Sequence, residues 1–148
     1  MIDVRPAARG DEDDVRRLAE LARSTAVGGR GGAQLVAELP PAAEVVADLT
    51  GVLVGTIGGH AMGYAVTHSS GRTGRLPELF VEPPARSVGL GAALLAAARE
   101  RLVAAGCETI DSQALPGDRS TKKFFEAHGM VTRLLVTHRS LVRTDGSD

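Results

Sequence analysis

The sequence predicts a mixed α/β (α+β) fold, one sheet with helices on its faces. Three observations carry this expectation. Several short segments alternate apolar and polar residues with period two, the signature of strands. Between them lie segments with apolar residues at helical spacing, above all residues 87–105. Glycine and proline stand at the junctions, so the period changes where turn residues occur. The 148 residues suit one domain and leave little room for a second.

Residues 2–5 alternate and stop at Pro6, a first strand. Acidic residues 11–14 open a helix in which Val15, Leu18, Leu21 and Ala22 recur at helical spacing. Arg16, Arg17 and Arg23 follow; acid first and base last suits the helix dipole, and the charges read as a solvated face. Gly28, Gly29, Gly31 and Gly32 make a mobile loop within the domain, because the 27 residues before it are too few for a separate core. A weaker helix over 33–49 is interrupted at Pro40-Pro41, and 42–48 is its more helical part. Segments 51–57 and 61–67 read as a hairpin joined at Gly58-Gly59-His60. A turn at 69–74 leads to a strand over 75–81. Residues 87–105 form the strongest helix, with Leu90, Leu94, Leu95, Ala98 and Leu102 on one face and Gly106 at its end. A polar strand over 109–114, a helix over 118–128 and a long strand over 131–142 complete the order. Residues 143–148 are expected to fray, which leaves a single domain over 1–142.

Composition excludes several functions. Lys plus Arg is 17 and Asp plus Glu is 18, a net charge of −1. A domain that binds nucleic acid by electrostatics is strongly basic, so nucleic acid is not an expected partner. No apolar run approaches the roughly 20 residues that span a bilayer, and the N-terminus lacks the apolar stretch of a signal peptide. No membrane partner and a cytoplasmic location are expected. The single cysteine, Cys107, allows no internal disulfide and no Cys-based zinc site, and reads as a small packed hydrophobe. His60, His68, His128 and His138 lack metal-binding spacing, so no metal is expected. One Tyr, three Phe and no Trp leave the core to Leu, Val and Ala, with Tyr64 a half-buried core aromatic.

The chemically informative stretch is Leu79-Phe80-Val81-Glu82-Pro83-Pro84-Ala85-Arg86-Ser87-Val88-Gly89-Leu90-Gly91-Ala92. It runs from a strand, through a proline turn, into a helix opened by glycines. The first N–H groups of a helix lack internal partners and sit at the positive end of the dipole. Glycines let a ligand approach that backbone, an arrangement that binds phosphate, and Arg86 adds charge for anionic oxygens. The P-loop pattern is absent. The dinucleotide pattern fails too, because Leu94 stands where its third glycine belongs.

Val81-x-Pro83 followed by Arg86-x-x-Gly89-x-Gly91-Ala92 resembles the acyl-CoA pyrophosphate motif of the GNAT N-acetyltransferase superfamily, V-x-P-x-x-R-G-x-G-x-G. The element order is similar over essentially the whole chain. Phe124-Phe125-Glu126-Ala127-His128-Gly129-Met130 resembles the family's F-Y-E-x-x-G-F segment. The resemblance implies a mostly antiparallel sheet whose central parallel pair, the strands of Val81 and Ile110, splays apart. It implies acetyl-CoA as co-substrate, with the amides of Arg86, Ser87, Val88, Gly89, Leu90, Gly91 and Ala92 on the pyrophosphate. Val81 and its neighbours would face the pantetheine arm, and an N–H near Phe80 or Val81 would polarise the thioester carbonyl. An acceptor amine would then attack the thioester directly.

An ammonium cannot attack, so a general base must take its proton. Glu78 lies where many family members place a catalytic Glu and is the first candidate. Asp111 is the second, on a strand where Asp111 and Gln113 share a face and Ser112 takes the other. The expected partners are a CoA thioester and the amine of a small molecule. The C-terminal strand offers an edge for a homodimer.

The chain departs from the family pattern at three positions. Phe125 replaces the usual Tyr, often the acid that reprotonates the thiolate. Asp118 replaces the usual Asn before that helix, where it would cap the helix and meet the cofactor side. Ser87 replaces a Gly after the Arg. Lys122 and Lys123 would be solvated or meet the 3′-phosphate. Phe125 also supports a rival reading, a non-catalytic acyl-CoA-binding regulatory domain. A third, acetylation of an aminoacyl-tRNA, sits poorly with the near-neutral charge.

Overall fold

The structure is a computed structural model that describes residues 1–142; the tail expected to fray, 143–148, lies outside the described residues. Five strands form one sheet in the order β1-β2-β3-β4-β5: β1 Ile2–Pro6, β2 Val52–Ile57, β3 His60–Ser70, β4 Thr73–Val81 and β5 Thr109–Asp111. The first four pair antiparallel, and only β4 and β5 are parallel. The helices are α1 Glu12–Ala26, α2 Gly32–Glu38, α3 Ala42–Ala47, α4 Leu90–Ala104 and α5 Arg119–Ala127. The chain divides into two compact units, Met1–Gly117 and Asp118–Asp148.

The first unit holds the sheet. Successive strand residues point to opposite faces. Tyr64 on β3 packs with Leu18 and Ala19 of α1, while its neighbour Gly63 faces α4, where an added Cβ would lie 3.1 Å from a Leu94 methyl. Helices α1 and α4 therefore cover opposite faces of the sheet. Helix α4 buries Leu90, Leu94, Leu95, Ala98 and Leu102, the five residues its spacing predicts. Gly55 and Gly63 make room for it: a Cβ at Gly55 would meet Leu90 at 2.7 Å, and one at Gly63 would meet the Phe80 carbonyl at 2.8 Å.

Several boundaries differ from the sequence reading, each for a physical reason. Helix α4 begins at Leu90 instead of 87, because Ser87 (φ 71°) and Gly89 (φ 94°) are left-handed and cannot be helical. Burying each leucine contributes about 2 kcal/mol, more than the roughly 1 kcal/mol that a left-handed Ser costs, so the packed face wins and the turn is held. In α1, Ala19 joins Val15 and Leu18 in the core while Leu21 is exposed. Strand β5 ends at Asp111, not 114. Residues 131–142 form no strand: Val131, Leu135, Val136, Leu141 and Val142 are each more than four-fifths exposed. Alternation marks which residues would face a sheet; it does not supply the neighbouring strand that a ladder needs. The Pro40-Pro41 interruption splits the weaker helix into α2 and α3 as read.

The second unit carries α5. Asp118 caps it, its carboxylate accepting from the Thr121 backbone N–H at 3.1 Å and the Thr121 hydroxyl at 2.6 Å.

Candidate active site

Strand β4 is the spine of the site. Its pairing with β5 covers only Thr73, Gly74 and Arg75, although β4 runs on to Val81. The end of the pairing coincides with a local irregularity. Between Arg75 and Glu78 on β4 lies one residue more than between His68 and Val66 on β3, so β4 carries a bulge there. Pro77 sits in it, a residue with no N–H to give to a ladder. Beyond the bulge, Glu78, Leu79, Phe80 and Val81 pair with β3 alone. Just beyond the ladder, Ser112 and Gln113 side chains donate to the carbonyls of Leu76 and Pro77. Cross-strand partners share a face, so Arg75 and Glu78 face the same way through His68 and Val66, and Asp111 shares that face as the register partner of Arg75.

Glu78 is buried, not a solvent-facing strand Glu. Its Oε1 accepts from the Tyr64 hydroxyl at 2.6 Å and from Arg23 Nη1 at 2.9 Å. Tyr64 is fully buried. Burial, and then the adjacent Glu78 carboxylate, push its hydroxyl well above the usual tyrosine range. Arg23 does not belong to a solvated face. Its side chain is 11% exposed, and it also donates to the carbonyls of Ala19 and Pro40. Sequence reasoning missed this residue, because nothing local distinguishes Arg23 from Arg16, which pairs with Asp13 at the surface. Arg17 binds Glu82 and the Ala61 carbonyl, joining α1 to the end of β4.

Past Val81 the chain turns through Pro83–Ala85 and enters α4. Arg86 Nε donates to the Val81 carbonyl at 2.9 Å, and its guanidinium lies 5.6 Å from the Phe80 ring centre. Arg86 thus closes the turn besides offering charge. Gly89 opens α4 in a left-handed conformation with no side-chain cap, so the first N–H groups of the helix are left to a ligand. The Gly89 position has room for a Cβ, its nearest neighbour being Ile2 at 3.7 Å; conformation, not space, requires glycine there. An uncapped helix start at the end of a one-sided strand fits a phosphate-bearing cofactor with an extended arm.

Glu78, Phe80, Val81, Arg86, Ser87, Val88, Gly89, Leu90, Gly91, Ala92 and Asp111 all belong to the first unit, on β4, β5, the turn that leads into α4 and the start of α4. Asp118 and Phe125 belong to the second unit. Phe125 meets Phe124 edge-on at 5.4 Å and has no hydroxyl. Cys107 is half-buried and unpaired by disulfide. Among the described residues no His, Cys, Asp or Glu cluster is placed to hold a metal, and no helix is long and apolar enough to cross a membrane.

The sequence matches the profile of the Acetyltransferase (GNAT) family over residues 14–130. The chain belongs to the GNAT acetyltransferase family and is an acyl-CoA-dependent acetyltransferase with acetyl-CoA as co-substrate. No curated protein matches it. Solved structures do. The tetramutant of BH1408 from Bacillus halodurans is 18% identical, with 94% of this chain and 99% of that chain covered and a TM-score of 0.76. AAC(6')-Iy, solved with the bisubstrate analog CoA-S-monomethyl-acetylneamine, is 20% identical over 96% of this chain and 99% of its own, with a TM-score of 0.69. N-acetylglutamate synthase from Neisseria gonorrhoeae, complexed with coenzyme A and N-acetyl-glutamate, is 17% identical over 86% of this chain and 28% of its own, with a TM-score of 0.69. At these identities the likeness shows the fold.

Proposed function

We propose that this family member moves an acetyl group from acetyl-CoA to a primary amine of a small-molecule acceptor, with Glu78 as general base. The observation that carries the reading is the early end of β4–β5 pairing at Arg75. It leaves a strand edge that passes Glu78 and leads to the glycine-opened start of α4. In this reading the amides of residues 86–92 hold the pyrophosphate, and the backbone of Phe80 and Val81 lines the pantetheine and polarises the thioester carbonyl. Acetyl-CoA supplies the activated acyl group. The C–N bond forms as the C–S bond breaks, and the sulfur leaves as a thiolate. Glu78 takes the ammonium proton, directly or through water, and Asp111, on the same face, is the second candidate. Phe125 has no proton to give, so in this reading the thiolate takes its proton from solvent or from another group.

The family match crosses the boundary between Gly117 and Asp118, which supports reading residues 1–142 as one functional domain. The exposed apolar side chains of 131–142 support association of two copies; sedimentation at rising concentration tests that.

The test of function measures thiol release from acetyl-CoA over a panel of primary amines that includes neamine and L-glutamate. Amine-dependent release, lost in Glu78→Gln with CoA affinity kept, is the expected result. Tight CoA binding without transfer to any amine would instead favour a non-catalytic acyl-CoA-binding domain.

A further inference from the structure

We infer that Arg23 is a positioning residue, which holds Glu78 by one carboxylate oxygen so that the other faces the acceptor. The inference rests on the reading of Glu78 as the base. Both hydrogen bonds that Glu78 receives fall on Oε1, one from Arg23 and one from Tyr64. Among the described residues no side-chain oxygen that is cut off from solvent lacks a hydrogen-bond partner. Oε2, which has none, therefore keeps an opening to solvent although the side chain is only 6% exposed.

An arginine and a carboxylate that serve only each other commonly meet fork to fork, two bonds in parallel. Arg23 does not. It gives Glu78 a single bond from Nη1, and turns Nε and Nη2 onto the Pro40 carbonyl at 3.1 and 2.6 Å. Nη1 also reaches the Ala19 carbonyl at 3.0 Å and lies 3.4 Å from the Tyr64 oxygen. The guanidinium is thus fixed by α1 and by the turn between α2 and α3. It cannot follow Glu78 if the carboxylate swings. Tyr64 completes the fixture from β3. One oxygen is anchored by two donors and the other is open, which is what a base needs to meet a proton in one defined direction. The Pro40 contact makes the placement of Glu78 depend on the α2–α3 turn.

The test compares the full chain with Arg23→Gln, Arg23→Lys and Tyr64→Phe, using the amine that gives the highest rate in the panel. The expected result for Arg23→Gln is a kcat lower by about tenfold or more, with acetyl-CoA affinity within about twofold of the parent. Arg23→Lys keeps one donor and restores part of kcat; Tyr64→Phe loses less than Arg23→Gln. A solely structural role lowers the melting temperature and leaves kcat of the folded fraction intact, which would overturn the inference. If Arg23→Gln does not fold, Arg23→Lys and Tyr64→Phe carry the comparison, and unchanged kcat in both overturns it. The base reading fails separately: Glu78→Gln as active as the parent, or no transfer to any amine, removes it and the inference with it. Inactive Glu78→Gln beside fully active Arg23 variants removes the inference alone.

Discussion

The two ends of the candidate site are built from different materials. The donor end, from Arg86 to Ala92, offers backbone: an uncapped helix start and two left-handed residues, Ser87 and Gly89. The base end is made of side chains, Arg23, Tyr64 and Glu78, brought together from α1, β3 and β4. The difference teaches why one end can be read from a short motif and the other cannot. Backbone geometry is written in local glycine and proline spacing. A buried ion pair between residues 55 apart leaves no local trace.

The largest expected effects separate the ends. Gly89→Glu places a negative side chain where the helix start meets phosphate, at a left-handed position; calorimetry should find no CoA binding, with only about 1 kcal/mol lost in stability. Glu78→Gln should do the reverse, lowering kcat by about 100-fold or more while CoA still binds. Should Glu78→Gln weaken CoA as much as it weakens turnover, the two ends are not separable.

Gly63→Ala tests the seat of the donor helix. The new methyl would meet the Phe80 carbonyl at 2.8 Å, so a loss of about 1–3 kcal/mol in chemical denaturation is expected, together with weaker CoA binding as α4 shifts. A melting curve like the parent's would mean that α4 does not depend on this close approach.

Smaller effects sharpen the contrast between charge and backbone. Arg5 binds Asp11 through both carboxylate oxygens, at 2.6 and 2.9 Å. Those bonds, against the opposing effect of burial, hold the Asp11 carboxyl below the usual range. A lowered folded-state value means the gain is whole above the ordinary Asp range and is lost as pH falls through the lowered one. Asp11→Asn should cost about 1 kcal/mol near neutral pH, Arg5 being half exposed, and the difference should close in strong acid. Ser87→Gly is the mildest change. It relieves a left-handed Ser and should raise stability by at most about 1 kcal/mol, with CoA affinity unchanged.

Much of the fold was legible. The five buried positions of α4, the α2–α3 break and the Asp118 cap follow from period and punctuation. The start of α4 was not, because a left-handed serine looks like any helical serine. Residues 131–142 carry a strand-like pattern with no partner strand, and pairing is a property of two segments. The bulge in β4 did have a signal, Pro77 inside a strand, since proline in a ladder marks an interruption. The charge pattern of α1 misled because a buried Arg23 and a surface Arg16 have the same sequence neighbourhood.

Tyr64 is the only tyrosine in a chain without tryptophan. All of the protein's intrinsic near-ultraviolet emission from phenol or indole therefore comes from one phenol ring, and its hydroxyl donates to Glu78. An excited phenol hands its proton to a bonded carboxylate and is quenched. The molecule carries its own optical gauge of the fixture at Glu78: dim while the contact holds, brighter when Glu78 is replaced by an amide or loses its anchor at Arg23. Whether a variant keeps that fixture is therefore readable without a label.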